Sequence, residues 1–120
     1  DSFITNFLPS EEGKYAVKGW IGAIEVSQFV PRASIPKGEE NRIRKTFSHH
    51  RKDYVAFVVG TISGFDDEMR EKLSNPKEQK KRFGNIIEIE YKEKMPKTFR
   101  YRHIRFGRWR QDKNLHECVW

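Results

Sequence analysis

The chain alternates short apolar runs with polar stretches rich in charge, glycine and proline, and most of the runs are too short for core helices. Residues 1–13 read as an entry segment. Phe3, Ile4, Phe7 and Leu8 can pack on a body, and Pro9-Ser10-Glu11-Glu12-Gly13 signals a turn. Residues 15–30 predict a long strand in which Gly19 and Gly22 mark a bend or bulge, as in a closed barrel. Residues 31–40 are a loop with two prolines and a glycine. Residues 42–53 are polar and basic, with room for a short edge strand around residues 43–48. The unbroken run Val55-Ala56-Phe57-Val58-Val59 predicts a central strand over residues 54–62, buried on both faces.

Gly64-Phe65-Asp66 then turns the chain into one helix, at about residues 67–74. Asp66 suits the N-cap, Asp67 and Glu68 favour the positive helix start, and Phe65, Met69 and Leu73 lie four apart on one face. Asn75-Pro76 stops it, and residues 77–82 read as a charged linker. Gly84 opens the clearest strand, with Ile87, Ile89 and Tyr91 on one side and Glu88, Glu90 and Lys92 on the other. Residues 99–110 predict the last strand. Simple alternation fails there, because Ile104 and Phe106 share a parity with Arg100, Arg102, Arg108 and Arg110, so a break is expected near Gly107.

The predicted order is strand, short strand, strand, helix, strand, strand. A lone helix between the third and fourth strands of a turn-rich β-chain is the layout of an OB-fold, a five-stranded Greek-key barrel. The fold class expected is therefore mainly β, with a barrel over residues 14–113 and a tail over residues 114–120.

Composition sharpens this picture in two ways. Apolar and charged residues are nearly equal, at 36% and 34%, but the apolar ones cluster in β-rich runs, which excludes a disordered body. The net charge of +7 points to nucleic acid, nucleotide or an anionic membrane. No run approaches a membrane span, so no membrane partner is expected. The single cysteine, Cys118, excludes an internal disulfide framework and fits a reducing compartment.

Seven Lys or Arg and one acid fall between Lys97 and Lys113, interleaved with Phe99, Tyr101, Phe106 and Trp109. Arginine offers fixed forked donors to phosphate, so Arg100, Arg102, Arg105 and Arg108 are candidate nucleic-acid contacts. A second candidate surface is Arg42, Arg44, Lys45, Arg51 and Lys52. The competing reading is a solvated strand face and a solvated loop. Adjacent His49 and His50 on a strand would point to opposite faces, and no Cys or carboxylate sits at zinc-like spacing, so no metal site is expected. His103 suits a structural or phosphate-contact role, and Cys118 reads as an unactivated thiol.

Three blocks resemble the C-terminal OB domain of ATP-dependent DNA ligases, within the covalent nucleotidyltransferases. The run from Val59 to Arg70, with Gly60-Thr61-Ile62-Ser63-Gly64-Phe65-Asp66 at its heart, is similar to that family's strand-to-helix block. Gly84-Asn85-Ile86-Ile87-Glu88-Ile89-Glu90-Tyr91 is similar to its next strand. Arg102-His103-Ile104-Arg105-Phe106 through Arg110-Gln111-Asp112-Lys113 is similar to its last motif, Arg-His-Pro-x-Phe followed by Arg-x-Asp-Lys. Ile104 stands where proline is usual.

No Lys-x-Asp-Gly is present, so the lysine that becomes bonded to AMP is missing. The resemblance implies that it lies in a nucleotidyltransferase domain of a parent chain preceding Asp1, and that this chain does not ligate alone. It implies that Arg110, Asp112 and Lys113 contact the ATP phosphates while the barrel closes over that domain. ATP and Mg²⁺ are then cofactors of the parent enzyme, with none bound by this domain alone. The implied partner is nicked double-stranded DNA, met by a monomer in the cytoplasm of a bacterial or viral system. The alternatives are the same domain of an RNA ligase or mRNA capping enzyme, and a stand-alone nucleic-acid-binding OB module.

Overall fold

In a computed structural model describing residues 1–120, the chain is mainly β, built on a six-stranded antiparallel sheet. The strands are β1 (Ser2–Pro9), β2 (Ile21–Pro31), β3 (Ile43–Ser48), β4 (Tyr54–Ile62), β5 (Ile86–Glu90), β6 (Glu93–Met95), β7 (Arg100–Arg102) and β8 (Arg105–Trp109). The helices are α1 (Gly13–Val17), α2 (Asp67–Leu73) and α3 (Pro76–Arg82). The sheet order is β3-β4-β2-β1-β5-β8, and β6 pairs with β7 as a separate hairpin. No helix is long and apolar enough to cross a membrane.

Bulges coil this sheet. One unpaired residue interrupts each ladder at Thr5 on β1, Gly22 on β2, Val59 on β4 and Gly107 on β8. Each extra residue sharpens the local twist. On this sheet packs an apolar core that includes Ile4, Ile24, Val26, Val59, Ile62 and Ile87, with Phe65 and Leu73 of the α2 region in the same cluster.

Several expectations are met with their physical cause visible. The helix expected at residues 67–74 is α2, and the Met69 amide donates to the Asp66 carboxylate at 2.8 Å, a side-chain N-cap. Gly22 is the expected bulge. The last strand breaks twice. His103, at φ 55°, turns the corner between β7 and β8, and Gly107 bulges inside β8. At Gly107 a Cβ would run into the carbonyl oxygen of Glu88 on the paired strand.

Other elements differ. Residues 1–13 are not a loose entry: β1 lies inside the sheet between β2 and β5, and Phe3 and Ile4 are fully buried. Residues 15–30 are not one strand. Gly13 and Gly19 have positive φ and bracket the single turn of α1 before β2 begins at Ile21. Residues 77–82 are helical, because Asn75-Pro76 both ends α2 and starts α3: Asn75 accepts from the Lys77 amide at 2.9 Å, and Pro76 occupies the first turn. The tail is also structured. The Phe29 amide donates to the Cys118 carbonyl at 2.8 Å and the Trp120 amide donates to the Phe29 carbonyl at 3.0 Å, so residues 118–120 run beside β2.

Candidate functional site

The Arg-x-Asp-Lys motif begins where β8 ends. The Arg110 amide donates to the Ile86 carbonyl at 2.8 Å, which extends the pairing with β5 by one residue and fixes the root of the side chain. From there the guanidinium turns into a ring of carboxylates. Its Nε and Nη2 donate to the two oxygens of Asp112 at 3.0 and 3.2 Å, a forked pair. Its Nη1 reaches Glu88 at 3.2 Å and Asp1 at 3.4 Å. The side chain is 14% exposed.

The charges respond accordingly. The forked hydrogen bonds from Arg110, and then a backbone hydrogen bond, hold the Asp112 carboxyl down at about 2. Glu88 is held below its ordinary value by Arg108 first and then by Arg110. Arg110 itself is stabilised in its charged form, chiefly by Asp112. Beside it opens a groove of about 340 Å³, lined by Gly84, Asn85, Trp109, Arg110, Gln111 and Lys113 among others. Lys113 is half-buried and has no carboxylate partner within 4.0 Å. The floor is stiffened by Trp109, over which Arg82 stacks at 4.2 Å while bonded to Glu78 at 3.0 Å.

The basic tail looks one-signed in sequence, but its counter-charges arrive from other strands and from the loop before β3. Arg100 meets Glu39 at 3.4 Å, Arg102 meets Glu93 at 3.8 Å and Arg108 meets Glu88 at 3.0 Å. Arg105 is exposed and lies opposite Glu90 in the ladder. Such exposed pairs contribute about 0–1 kcal/mol. Arg110, forked and mostly buried, is the exception among them.

The second basic stretch divides. Arg42, expected at a nucleic-acid surface, is instead turned inward: its side chain is 7% exposed, and its guanidinium donates to the carbonyls of Val58, Thr98 and Phe99 and to Glu39. It also lies 4.1 Å over the Phe57 ring. Arg42 therefore ties β4 to the β6–β7 hairpin. Arg44 is largely committed too, with Nη2 at 2.7 Å from the buried Glu25 carboxylate. That carboxylate also accepts from Thr5. Lys45, Arg51 and Lys52 stay exposed, and Arg51 pairs with Asp53 at 3.1 Å while stacking on Tyr54.

Two features escaped sequence reasoning. Arg70 of α2 is 5% exposed and donates to the carbonyls of Ile21, Gly22 and Ser63, a second internal arginine that no periodicity marks. The histidines also come together. His49 and His50 follow the end of β3, so strand alternation does not separate them. Their rings stack at 4.1 Å, and His116 meets both edge-on. His50 is held below its ordinary pKa by partial loss of solvent and then by its neighbours His49, His116 and Arg51. His103 is exposed at its corner, and Cys118 is buried, its thiol pushed up to about 11 by desolvation.

Compared with family models, with curated proteins and with solved structures, the chain matches none.

Proposed function

We propose that this chain is the C-terminal OB-fold domain of an ATP-dependent DNA ligase, an accessory module that carries Arg110 to the triphosphate during enzyme adenylylation and then lies on nicked duplex DNA. The observation that carries the reading is the presentation of Arg110 with Lys113. A guanidinium is oriented by its own motif partner, Asp112, at the rim of a groove that also holds an unpaired lysine.

The strand order supports the same fold. β1 pairs with β2 and β5, β2 with β4 and β5 with β8, as in a Greek-key barrel whose helix follows the third strand. The corner at His103 brings β7 and Ile104 against Gly60 of β4, a close approach that the proposed barrel would require. Gly60 suits that approach, since a Cβ there would overlap the Ile104 side chain.

Nucleotidyl transfer depends on positioning and on neutralising charge as pyrophosphate leaves. Asp112 holds the Nε–Nη2 edge of Arg110, while the Nη1 contacts to Glu88 and Asp1 are the longer ones, at 3.2 and 3.4 Å. Nη1 is therefore the donor that passes to a phosphate oxygen, with Lys113 adding a second positive charge. The groove fits the phosphates of ATP on this ground. Magnesium, where the reaction uses it, neutralises phosphate charge, and no residue of this chain is assigned to it.

On DNA, Lys45, Arg51, Lys52 and the exposed tail arginines Arg100, Arg102, Arg105 and Arg108 contact phosphates without reading sequence. A stand-alone single-strand binder would need a row of exposed aromatics for base stacking. Phe83 and Tyr91 are the exposed large aromatics, and they lie on separate elements.

Fluorescence anisotropy with three probes of equal length tests this reading. The chain is expected to bind nicked and intact duplex more tightly than single strand, with log K falling by about 0.9 per phosphate contacted as log salt rises. Preference for the single strand, or salt-independent binding, would contradict it.

A further inference from the structure

The turn after β3 and the short 3₁₀ helix Leu115–Glu117 bring together three histidines that the proposed function does not use. The ligating nitrogens of His49, His50 and His116 all lie within 4.8 Å of one another. The rings are held from outside the cluster. His49 meets the edge of Phe29 with centroids 4.8 Å apart and stacks on Tyr54 at 5.2 Å. His116 is fixed by a capping box: its amide donates to the Asn114 side chain at 3.0 Å, and the Asn114 amide donates to Glu117 at 2.8 Å.

Two details distinguish this cluster from ordinary ring packing. Nδ1 of His116 is buried and has no hydrogen-bond partner, which is uncommon for a buried polar atom. The Arg51 amide donates to Nδ1 of His49 at 3.0 Å, so that atom carries the lone pair and the proton of the neutral ring sits on Nε2. Nε2 then donates to the His116 carbonyl at 3.2 Å. A backbone carbonyl on the far ring nitrogen is the support that orients a ligating imidazole.

We propose that His49, His50 and His116 bind one first-row divalent cation of the zinc class, leaving at least one coordination position to water. Three imidazoles suit zinc, copper or nickel and not magnesium or calcium. Nitrogens about 2.05 Å from a tetrahedral ion stand about 3.3 Å apart, so the rings must close by up to about 1.5 Å. His50 is exposed and free to do so. Ligation by His49 exchanges the Arg51 amide for the ion. Arg51 and Lys52 next to the site oppose a cation, so binding rests on coordination and not on the surrounding field. The bound ion ties the turn between β3 and β4 to the segment following Lys113.

The test is calorimetric titration of the metal-free 120-residue chain with Zn²⁺, paired with Co²⁺ titration followed by visible absorption. One equivalent is expected, weakened at least tenfold in His50→Ala and in His116→Gln. His103→Ala, at the histidine outside the cluster, binds as the parent does. Thermal unfolding without metal establishes that each variant is folded. The absence of saturable binding, equal weakening by His103→Ala, or a Co²⁺–thiolate band placing the ion on Cys118 would each overturn the proposal. None of these readouts involves DNA or ATP, so this site and the ligase reading stand or fall separately.

Discussion

Arg42→Met separates a structural arginine from a DNA contact at the residue where sequence and structure disagree most. Methionine keeps an unbranched apolar stem of similar length and removes the guanidinium, including its stacking over Phe57. Left behind are the Val58 carbonyl, which accepts at 3.0 and 2.6 Å, and the carbonyls of Thr98 and Phe99, each accepting at 2.8 Å. An acceptor stranded in the interior costs about 1–3 kcal/mol, and one that water still reaches costs less. The Phe99 bond is buried and the other two are partly buried. The sum is about 3–5 kcal/mol, in line with breaking a buried charged network. Against a total stability of about 5–15 kcal/mol for a domain, that is a large fraction. Urea unfolding followed by tryptophan fluorescence measures it. A midpoint unchanged within about 0.5 kcal/mol, with DNA affinity lowered, would refute the reasoning and return Arg42 to the binding surface.

Asp112 should titrate near 2 by NMR in the parent chain and return towards the usual 3.8 in Arg110→Gln. Because its folded-state value is depressed, its contribution to stability is fully present above the ordinary carboxylate range and is lost as pH falls towards 2; a midpoint near 3.8 in the parent would contradict the forked pair. Gly107→Ala should destabilise by about 1–3 kcal/mol, because the new methyl group meets the Glu88 carbonyl of the paired strand; equal stability in denaturant titration would remove the bulge from the account. Cys118, buried with its thiol pushed up to about 11, should react with a disulfide reagent only at the rate of unfolding, and rapid modification of the native chain would contradict its packing beside β2.

The pattern of the chain carried its strand-rich character, the central strand β4, the capped helix α2 and the break in the last strand, because each rests on local chemistry. It hid what depends on distant partners. β1 reads as a linker because its adjacent Phe3 and Ile4 enter two different buried clusters, both of which only the fold supplies. Asn75-Pro76 reads as a stop because the same two residues that end one helix also start another. Arg42 and Arg70 look like surface cations, since nothing local reveals that backbone carbonyls from other strands converge on them. The acids that answer the tail arginines, among them Glu39, Glu88 and Glu93, are scattered along the chain and meet them only across the folded strands. The Arg-x-Asp-Lys motif is legible, but the second and third carboxylate partners of Arg110, Glu88 and Asp1, are not. The histidine cluster is hidden in the sequence because strand parity does not extend to His49 and His50, which lie beyond β3.

The central claim is that Arg110 serves the triphosphate and not the nick. Its most direct test is Arg110→Ala in the parent enzyme, assayed twice: for transfer of labelled AMP from ATP to the enzyme, and for sealing of a nick already carrying AMP. The account predicts strong loss of the first with the second largely spared. Equal loss in both, or adenylylation that proceeds unchanged, would contradict it.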